Sequence, residues 1–318
     1  MVVRINRKFH KLFPTGMADH LHPHHHPHSS SHPSWSAAAE AFEADVSGLF
    51  RKLFTDAEPA GLSTGKISLP WLRLCLETLP YMNGGFARLI TVIDHPISSW
   101  GPNSSEEYLS YTLNLLEHLN EISSAIAHLG HARVSLAHAL SVSESSPTAS
   151  LDRLKAITAH PPKKDCGKAD GSEEHGWDAV GSGKDAAVHK AINFMKGIEF
   201  WVCGIVISAL SGDAGPYLEM RASAGRLLGP SMSDLDSHLH RAVLEKGISL
   251  EEVRKINDSV AHIVDRGTRV HEAEEALHDR LDGIEKLVEG LRKEVDLLFS
   301  QVLSSRNALL DCLRAGFS

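Results

Sequence analysis

A heptad repeat near the C-terminus constrains the fold of this chain more than any other feature. Apolar side chains recur there at alternating steps of four and three, and Ser305 is the one interruption. The repeat positions are Leu277, Leu281, Ile284, Val288, Leu291, Val295, Leu298, Val302, Ser305, Leu309 and Cys312. A stripe of about five heptads predicts a long helix whose apolar seam is buried against other helices.

The C-terminal stripe has two interpretations, packing within the chain or pairing with another chain. Further apolar residues flank the stripe, and a simple two-stranded coiled coil does not need them. They are Leu287, Phe299, Leu303, Leu310 and Leu313. This wider face favours a spine packed inside a single-chain bundle, and a homodimer remains the alternative.

Helical periodicity continues through most of the remaining chain, which predicts an all-α protein. We expect an elongated multi-helix bundle with a long heptad-patterned helix at its C-terminal end. An N-terminal helical half at 35–160 and a C-terminal helical half at 186–318 are predicted to pack into one bundle. The β-branched run at 202–207 is the one candidate strand, and its helical neighbours argue against that assignment.

Local sequence signals predict where several helices begin. Ser68 is a candidate N-cap, because a serine hydroxyl accepts a hydrogen bond from the first turn of a helix. Ser104 or Ser105 is expected to open a longer helix. Ser249 followed three residues later by Glu252 is typical of a capping box, which predicts another helix start there.

Prolines and glycines predict where helical segments bend or stop. Pro80 is expected to kink the helix that carries it, and residues 213–216 are expected to break the chain between helices. Residues 161–185 hold five glycines and a mixed run of charges with little to bury. We interpret this segment as a flexible linker.

Residues 1–34 are predicted to be a disordered tail that is first basic and then rich in histidine. The histidines are His20, His22, His24, His25, His26, His28 and His32. Interspersed prolines exclude a helix, and the composition cannot form a core. Imidazoles at this density bind divalent transition metals loosely, but the tract lacks the fixed geometry of a specific site.

The first thirteen residues alternate apolar and basic side chains and contain no acidic one. This pattern fits three structures: a membrane-surface anchor, part of a transit peptide, or a basic mobile tail. We therefore expect a cytoplasmic protein, with membrane association and plastid targeting as the alternatives.

Charge and cysteine usage exclude several classes of function. The formal net charge is −8, and no helix shows the basic face that nucleic-acid binding requires. The four cysteines, which contain no CxxC pair, are Cys75, Cys166, Cys203 and Cys312. They are interpreted as reduced and structural, because two or three of them lie in apolar helical stretches.

The apolar run at 200–212 raises the question of a membrane segment. Its thirteen residues carry no charge, but a spanning helix needs about twenty. A central buried helix is the favoured interpretation, with a membrane-inserted or interfacial segment as the alternative. Gly204, Ser208 and Gly212 recur every four residues and form a small face that lets a second helix approach closely.

No catalytic, cofactor-binding or metal-ligating residues are assigned from sequence. His118, His128, His131 and His138 lie on one predicted helix. No second helix supplies the Glu-x-x-His partner motif of a metal-carboxylate bundle. We interpret these histidines as solvent-facing or hydrogen-bonded, and we find no motif of a known hydrolase, nucleotide-binding or metalloprotease class.

Several segments are similar to the plant BYPASS family of helical proteins. The C-terminal segment GLRKEVDLLFSQVLSSRNALLDCLRAG at 290–316 is very similar to the end of that family. SLPWLRLCLETL at 68–79, HPISSW at 95–100 and the helical segment at 106–129 also resemble it. The resemblance covers most of residues 40–317 in order.

The resemblance implies a non-enzymatic regulator or adaptor in plant root and shoot development. Family members are thought to restrain production of a mobile root-derived signal that arrests shoot growth. A related helical group binds an exocyst subunit, which implies an alternative role as a membrane-peripheral trafficking component. Membrane contact would then run through residues 1–13 or 200–212. The resemblance implies protein partners, and it defines no catalytic residues to carry over.

Overall fold

The computed structural model describes the chain in stretches, and nearly all of the described residues are helical. The described residues are 35–56, 66–143, 145–159, 183–225, 227–228, 230–266 and 271–316. The predicted tail at 1–34 and the predicted linker up to residue 182 lie outside these stretches. The all-α prediction is confirmed within them.

The described helices and strands follow one another in a simple order. They are α1 (Trp35–Asp56), β1 (Lys66–Ile67), α2 (Leu69–Val92), a 3-10 turn (Ile97–Ser99), α3 (Pro102–Ser141), α4 (Pro147–Ala159), α5 (Lys184–Ser211), α6 (Gly215–Ala224), α7 (Pro230–Lys246), β2 (Ser249–Leu250), α8 (Glu251–Arg266) and α9 (His271–Gly316). Helix α5, the first described helix after the predicted linker, begins at Lys184.

Helix α5 is the centre of the bundle. Every residue from Trp201 to Ala209 is buried, and α1, α2, α3 and α6 pack around the helix. Length and apolar composition alone would allow α5 to span a membrane, with a mean hydropathy of 1.5 in its most apolar 18-residue window. Since 78% of that window is buried inside the protein, the prediction of a central buried helix is confirmed.

Helix α6 packs against the face of α5 that carries Gly204 and Ser208. The sequence patterns did not predict α6. A Cβ added to Gly204 would lie 3.2 Å from the Cα of Tyr217, so the two backbones pass close together there. The Tyr217 N–H also donates to the Ser208 hydroxyl at 2.8 Å. The predicted break near 213–216 is confirmed, since α5 ends at Ser211 and α6 begins at Gly215. Pro216 lies in the first turn of α6, where its missing N–H is harmless.

Helices α3 and α9 form a long antiparallel pair beside α5. Arg306 donates to the Thr112 hydroxyl at one end of the pair, and Glu285 contacts Arg133 at 2.8 Å further along. The buried positions of the heptad stripe are Leu277, Leu281, Ile284, Leu291, Val295, Leu298, Val302 and Leu309. The stripe therefore packs within the chain, whereas Ser305 and Cys312 near its end are exposed.

Two predicted helix starts need correction. Helix α3 begins at Pro102, ahead of Ser104 and Ser105, and the Gly101 N–H donates to the Asp185 side chain at 3.1 Å. Ser249 pairs with Lys66 in a parallel two-residue ladder instead of capping α8. The predicted capping box is therefore wrong, although α8 does begin two residues later, at Glu251. The ladder has only two residues in each strand, so the all-α prediction stands for the described residues.

The side chain of Glu252 serves another helix. Both of its carboxylate oxygens lie 3.2 Å from the Leu69 N–H at the start of α2. An acidic group at a helix N-terminus satisfies a free donor and complements the helix dipole. The Ser68 N-cap is confirmed, since its hydroxyl accepts from the Trp71 N–H at 3.4 Å. Helix α2 continues through Pro80 to Val92.

Adding a methyl group to Gly197 tests how closely α5 is covered. The new Cβ would lie 2.8 Å from the Cβ of Leu227, so we expect Gly197→Ala to lower the free energy of unfolding by about 1–3 kcal/mol. Gly283→Ala on α9 is the matched control. Its Cβ meets no atom within 4 Å, and we expect a gain of about 0.5–1 kcal/mol. Urea unfolding measures the change in the free energy of unfolding for both variants. Equal changes would contradict the close packing around Gly197.

Candidate functional site

Three side chains with metal-binding or proton-binding chemistry converge between α3 and α5. His118 comes from α3, and Glu199 and Cys203 come from α5. Glu199 and Cys203 are four residues apart, so they lie one turn apart on the same helix face. One ligand atom from each of the three residues lies within 4.8 Å of the others. We call these three residues the His–Glu–Cys cluster.

Glu199 is the most unusual member of the cluster, because its carboxyl group is fully buried. Its Oε1 lies 2.5 Å from Nδ1 of His118, whose side chain is 16% exposed. The ring of Phe200 packs edge-on against the imidazole, with centroids 5.7 Å apart. The second oxygen, Oε2, is also buried and has no hydrogen-bond partner among the described residues. Such an oxygen is uncommon, because burying it without a partner costs free energy.

The pKa values of His118 and Glu199 are both raised, so the pair holds a proton more tightly than the separate side chains do. Burial lowers the pKa of His118, but the hydrogen bond and charge of Glu199, aided by nearby acids, outweigh burial and raise that pKa above its ordinary value. Burial raises the pKa of Glu199, and the lowering by His118 and Lys196 only partly offsets it. With one proton between the two groups, the pair is electrically neutral as a unit.

Burial also governs the other two polar groups at this place. It raises the pKa of the Cys203 thiol well above the ordinary range, and the charges of Glu199 and Glu121 add to the effect. The thiol is therefore protonated and unreactive in this state. Burial raises the pKa of Tyr111 as well, and its hydroxyl donates to Asn83 Oδ1 at 2.9 Å.

The His–Glu–Cys cluster can perform two kinds of chemistry. As a metal-free group it stores one proton on the His118–Glu199 pair. As a ligand set it offers an imidazole nitrogen, a carboxylate oxygen and a sulfur, the donor types that zinc prefers. Its enclosure is poorly suited to a reaction on a large substrate, because only His118 retains exposed surface.

A second buried polar group ties α5 to α6 and α7. Asp236 accepts hydrogen bonds from Trp201 Nε1 at 3.0 Å, the Tyr217 hydroxyl at 3.1 Å and Arg221 Nε at 2.9 Å. Arg221 also reaches the other carboxylate oxygen at 2.7 Å. The donors come from α5 and α6 and the acid comes from α7. This hydrogen-bonded group therefore holds the three helices together.

The structure separates the four predicted histidines of α3. His128, His131 and His138 are exposed, and His138 lies 3.3 Å from Arg153 Nη1. His118 alone belongs to the cluster. Sequence patterns did not reveal this site, because Glu199 stands out in them only as a charge that bounds the apolar run. A lone acid on an otherwise apolar helix was the available signal, but its partner is 81 residues away in the sequence.

The cysteine prediction holds in part for the described residues. Cys75 and Cys203 are buried free thiols, as expected for small apolar side chains. Cys312 is free but exposed on α9, so its place in the heptad stripe did not predict burial. Cys166 lies outside the described residues.

Comparison with known proteins gives two kinds of relative. The chain is 22% identical over 269 residues to "Protein BPS1, chloroplastic" of Arabidopsis thaliana, covering 78% of this chain and 77% of that protein. It is 25% identical over 224 residues to "UPF0496 protein 4" of Oryza sativa subsp. japonica, covering 65% of this chain. The chain spans about half the length of that rice protein, 47%.

The protein of the same name from Oryza sativa subsp. indica is also 25% identical, over 222 residues. No protein-family model matches the chain, and no solved structure matches it.

The shared proton of the His118–Glu199 pair predicts a pH dependence of stability. In the unfolded chain, His118 loses its proton near the ordinary histidine pKa of about 6.5. The stability that it contributes is therefore present below about pH 6.5 and is lost as pH rises through the raised folded-state pKa. The expected loss is up to about 1.4 kcal/mol per pH unit within that window.

Urea unfolding of wild type and Glu199→Gln at about pH 6 and about pH 8 measures this loss. The chain has 21 histidines, so only the difference between the two proteins isolates the pair. We expect the pH dependence to be weaker in Glu199→Gln. Glu117→Gln removes a neighbouring exposed acid and should retain most of the dependence. Identical pH profiles for wild type and Glu199→Gln would contradict the shared proton.

Proposed function

We propose that this chain, a BPS-like protein by its homology to Protein BPS1 and the UPF0496 proteins, is a regulator of plant development. The observation that carries the proposal is the match to Protein BPS1, which runs over 77% of that protein's length. We further propose that the chain acts in roots and that it does not catalyse a reaction. It restrains production of a mobile signal that reaches the shoot.

An adaptor is the molecular role that we propose for this regulation. The His–Glu–Cys cluster is too enclosed to admit a large substrate, and neither relative's name describes an enzyme. Adaptors act through their surfaces, and the end of α9 offers a shallow open face with Leu303 at 41% exposure. That face is lined by Ser300, Leu303, Ser304, Asn307, Ala308 and Asp311. We propose that this face is the surface that contacts a partner protein.

The competing proposal is a membrane-peripheral trafficking component associated with an exocyst subunit. Residues 200–212 lend it little support, because α5 would have to leave the centre of the bundle to reach a membrane. Residues 1–13 would then have to carry the membrane contact. The word "chloroplastic" in the name of the Arabidopsis relative supports testing residues 1–34 as a plastid address as well.

Reciprocal grafting tests the developmental proposal. We expect that roots lacking this chain arrest a wild-type shoot, whereas wild-type roots allow a shoot lacking the chain to grow. The shoot phenotype follows the root genotype because the signal moves upward. Shoot arrest that follows the shoot genotype, or no arrest in either graft, would overturn the proposal.

The same plants test the adaptor surface. Leu303→Asp should fail to restore shoot growth while changing the free energy of unfolding by less than about 0.5 kcal/mol, since the residue is exposed. Leu244→Asp on α7 is the matched control, because Leu244 is 63% exposed and lies on another helix. Rescue by both variants would remove the α9 face from the proposal. Rescue by neither would point to an effect of charge on any surface.

A further inference from the structure

The geometry of the His–Glu–Cys cluster is close to that of a metal site. Zinc bonds to nitrogen, oxygen and sulfur are about 2.0–2.3 Å long, so tetrahedral ligand atoms are about 3.3–3.8 Å apart. The three ligand atoms here all lie within 4.8 Å of one another. Side-chain movements of roughly one ångström would bring them into coordination distance, without a change in either helix.

An independent observation points to a missing partner at the same place. Glu199 Oε2 is fully buried, and no donor among the described residues reaches it. The other oxygen, Oε1, already contacts His118. A buried carboxylate oxygen without a hydrogen-bond donor destabilises the folded protein, and a cation bound beside it would offset that destabilisation.

We propose that His118, Glu199 and Cys203 bind one Zn²⁺ ion between α3 and α5. This site goes beyond the proposed function and does not depend on it. The ligand set combines one sulfur, one imidazole nitrogen and one carboxylate oxygen, which favours zinc over the oxygen-seeking ions Mg²⁺ and Ca²⁺. The fourth position is left for a water molecule, which enters on the partly exposed side of His118.

The ligand set also suits a divalent ion. On binding, Zn²⁺ would bond to the Cys203 thiolate, the Glu199 carboxylate and the neutral His118 imidazole, and the thiol proton, with any proton held between His118 and Glu199, would go to solvent. Two anionic ligands balance the charge of the ion, so the core gains no uncompensated charge.

Cobalt provides the sharpest test, because a cobalt–thiolate bond absorbs in the near ultraviolet and histidine ligands alone do not give that band. This matters because the His-rich tract at 20–32 will bind metal in every variant. The full-length chain, stripped of metal with a chelator, receives one equivalent of Co²⁺ and then Zn²⁺. We expect a sulfur-to-cobalt band that zinc abolishes.

The matched pair of variants is Cys203→Ala and Cys75→Ala. Both thiols are fully buried, and Cys75 lies on α2, outside the cluster. We expect Cys203→Ala to lose the band and Cys75→Ala to keep it. A wild-type chain without the band would overturn the proposal. So would a band that survives in Cys203→Ala or is lost equally in Cys75→Ala.

Glu199→Gln keeps the proposal testable if Cys203→Ala does not fold. The amide keeps the shape of the carboxyl but ligates metal weakly, so zinc affinity at this site should fall at least about tenfold. Titration of Zn²⁺ against the sulfur-to-cobalt band measures this affinity at the cluster alone. An affinity that Glu199→Gln leaves unchanged would contradict the proposed ligand set.

Discussion

The burial of α5 is the constraint on which the rest of this structure depends. A helix that is apolar on all sides must be covered on all sides, because water would otherwise meet a large hydrophobic surface. The neighbouring helices supply that cover, and α6 can approach because Gly204 and Ser208 leave room for it. Gly197 leaves room for Leu227, just after the end of α6. The α3–α9 pair closes another side, which gives the C-terminal heptad stripe an intramolecular role.

Two buried acids, Asp236 and Glu199, lie at this apolar centre among the described residues, and each is compensated differently. Trp201 presents its indole N–H to Asp236, an acid that also pairs with Arg221, so this contact is complete and fastens α7 to the core. Glu199 meets only His118 and leaves one oxygen without a donor among the described residues. Structural networks are normally completed, so the incomplete one is the better candidate for a function.

Much of the fold could be predicted from sequence because periodicity and caps are local. The stripe on α9, the Ser68 cap and the apolar run at 200–212 each follow from residues within a few turns of one another. Sequence missed the two contacts that matter most for the site and its surroundings because they are long-range. Glu252 caps α2 across 183 residues, and His118 meets Glu199 across 81 residues. Local sequence patterns do not indicate contacts between residues so far apart. The sequence therefore predicted α5 as a buried helix but did not predict the His–Glu–Cys cluster on it.

Amide hydrogen exchange of the full-length chain in buffer without lipid tests the central place of α5 most directly. If α5 is the core of the bundle, amides from Trp201 to Ala209 are among the slowest in the protein and exchange only through global unfolding. Exposed-loop rates in that segment would contradict this role. So would protection that develops only after lipid vesicles are added, because α5 would then be a membrane segment and not the core of a bundle.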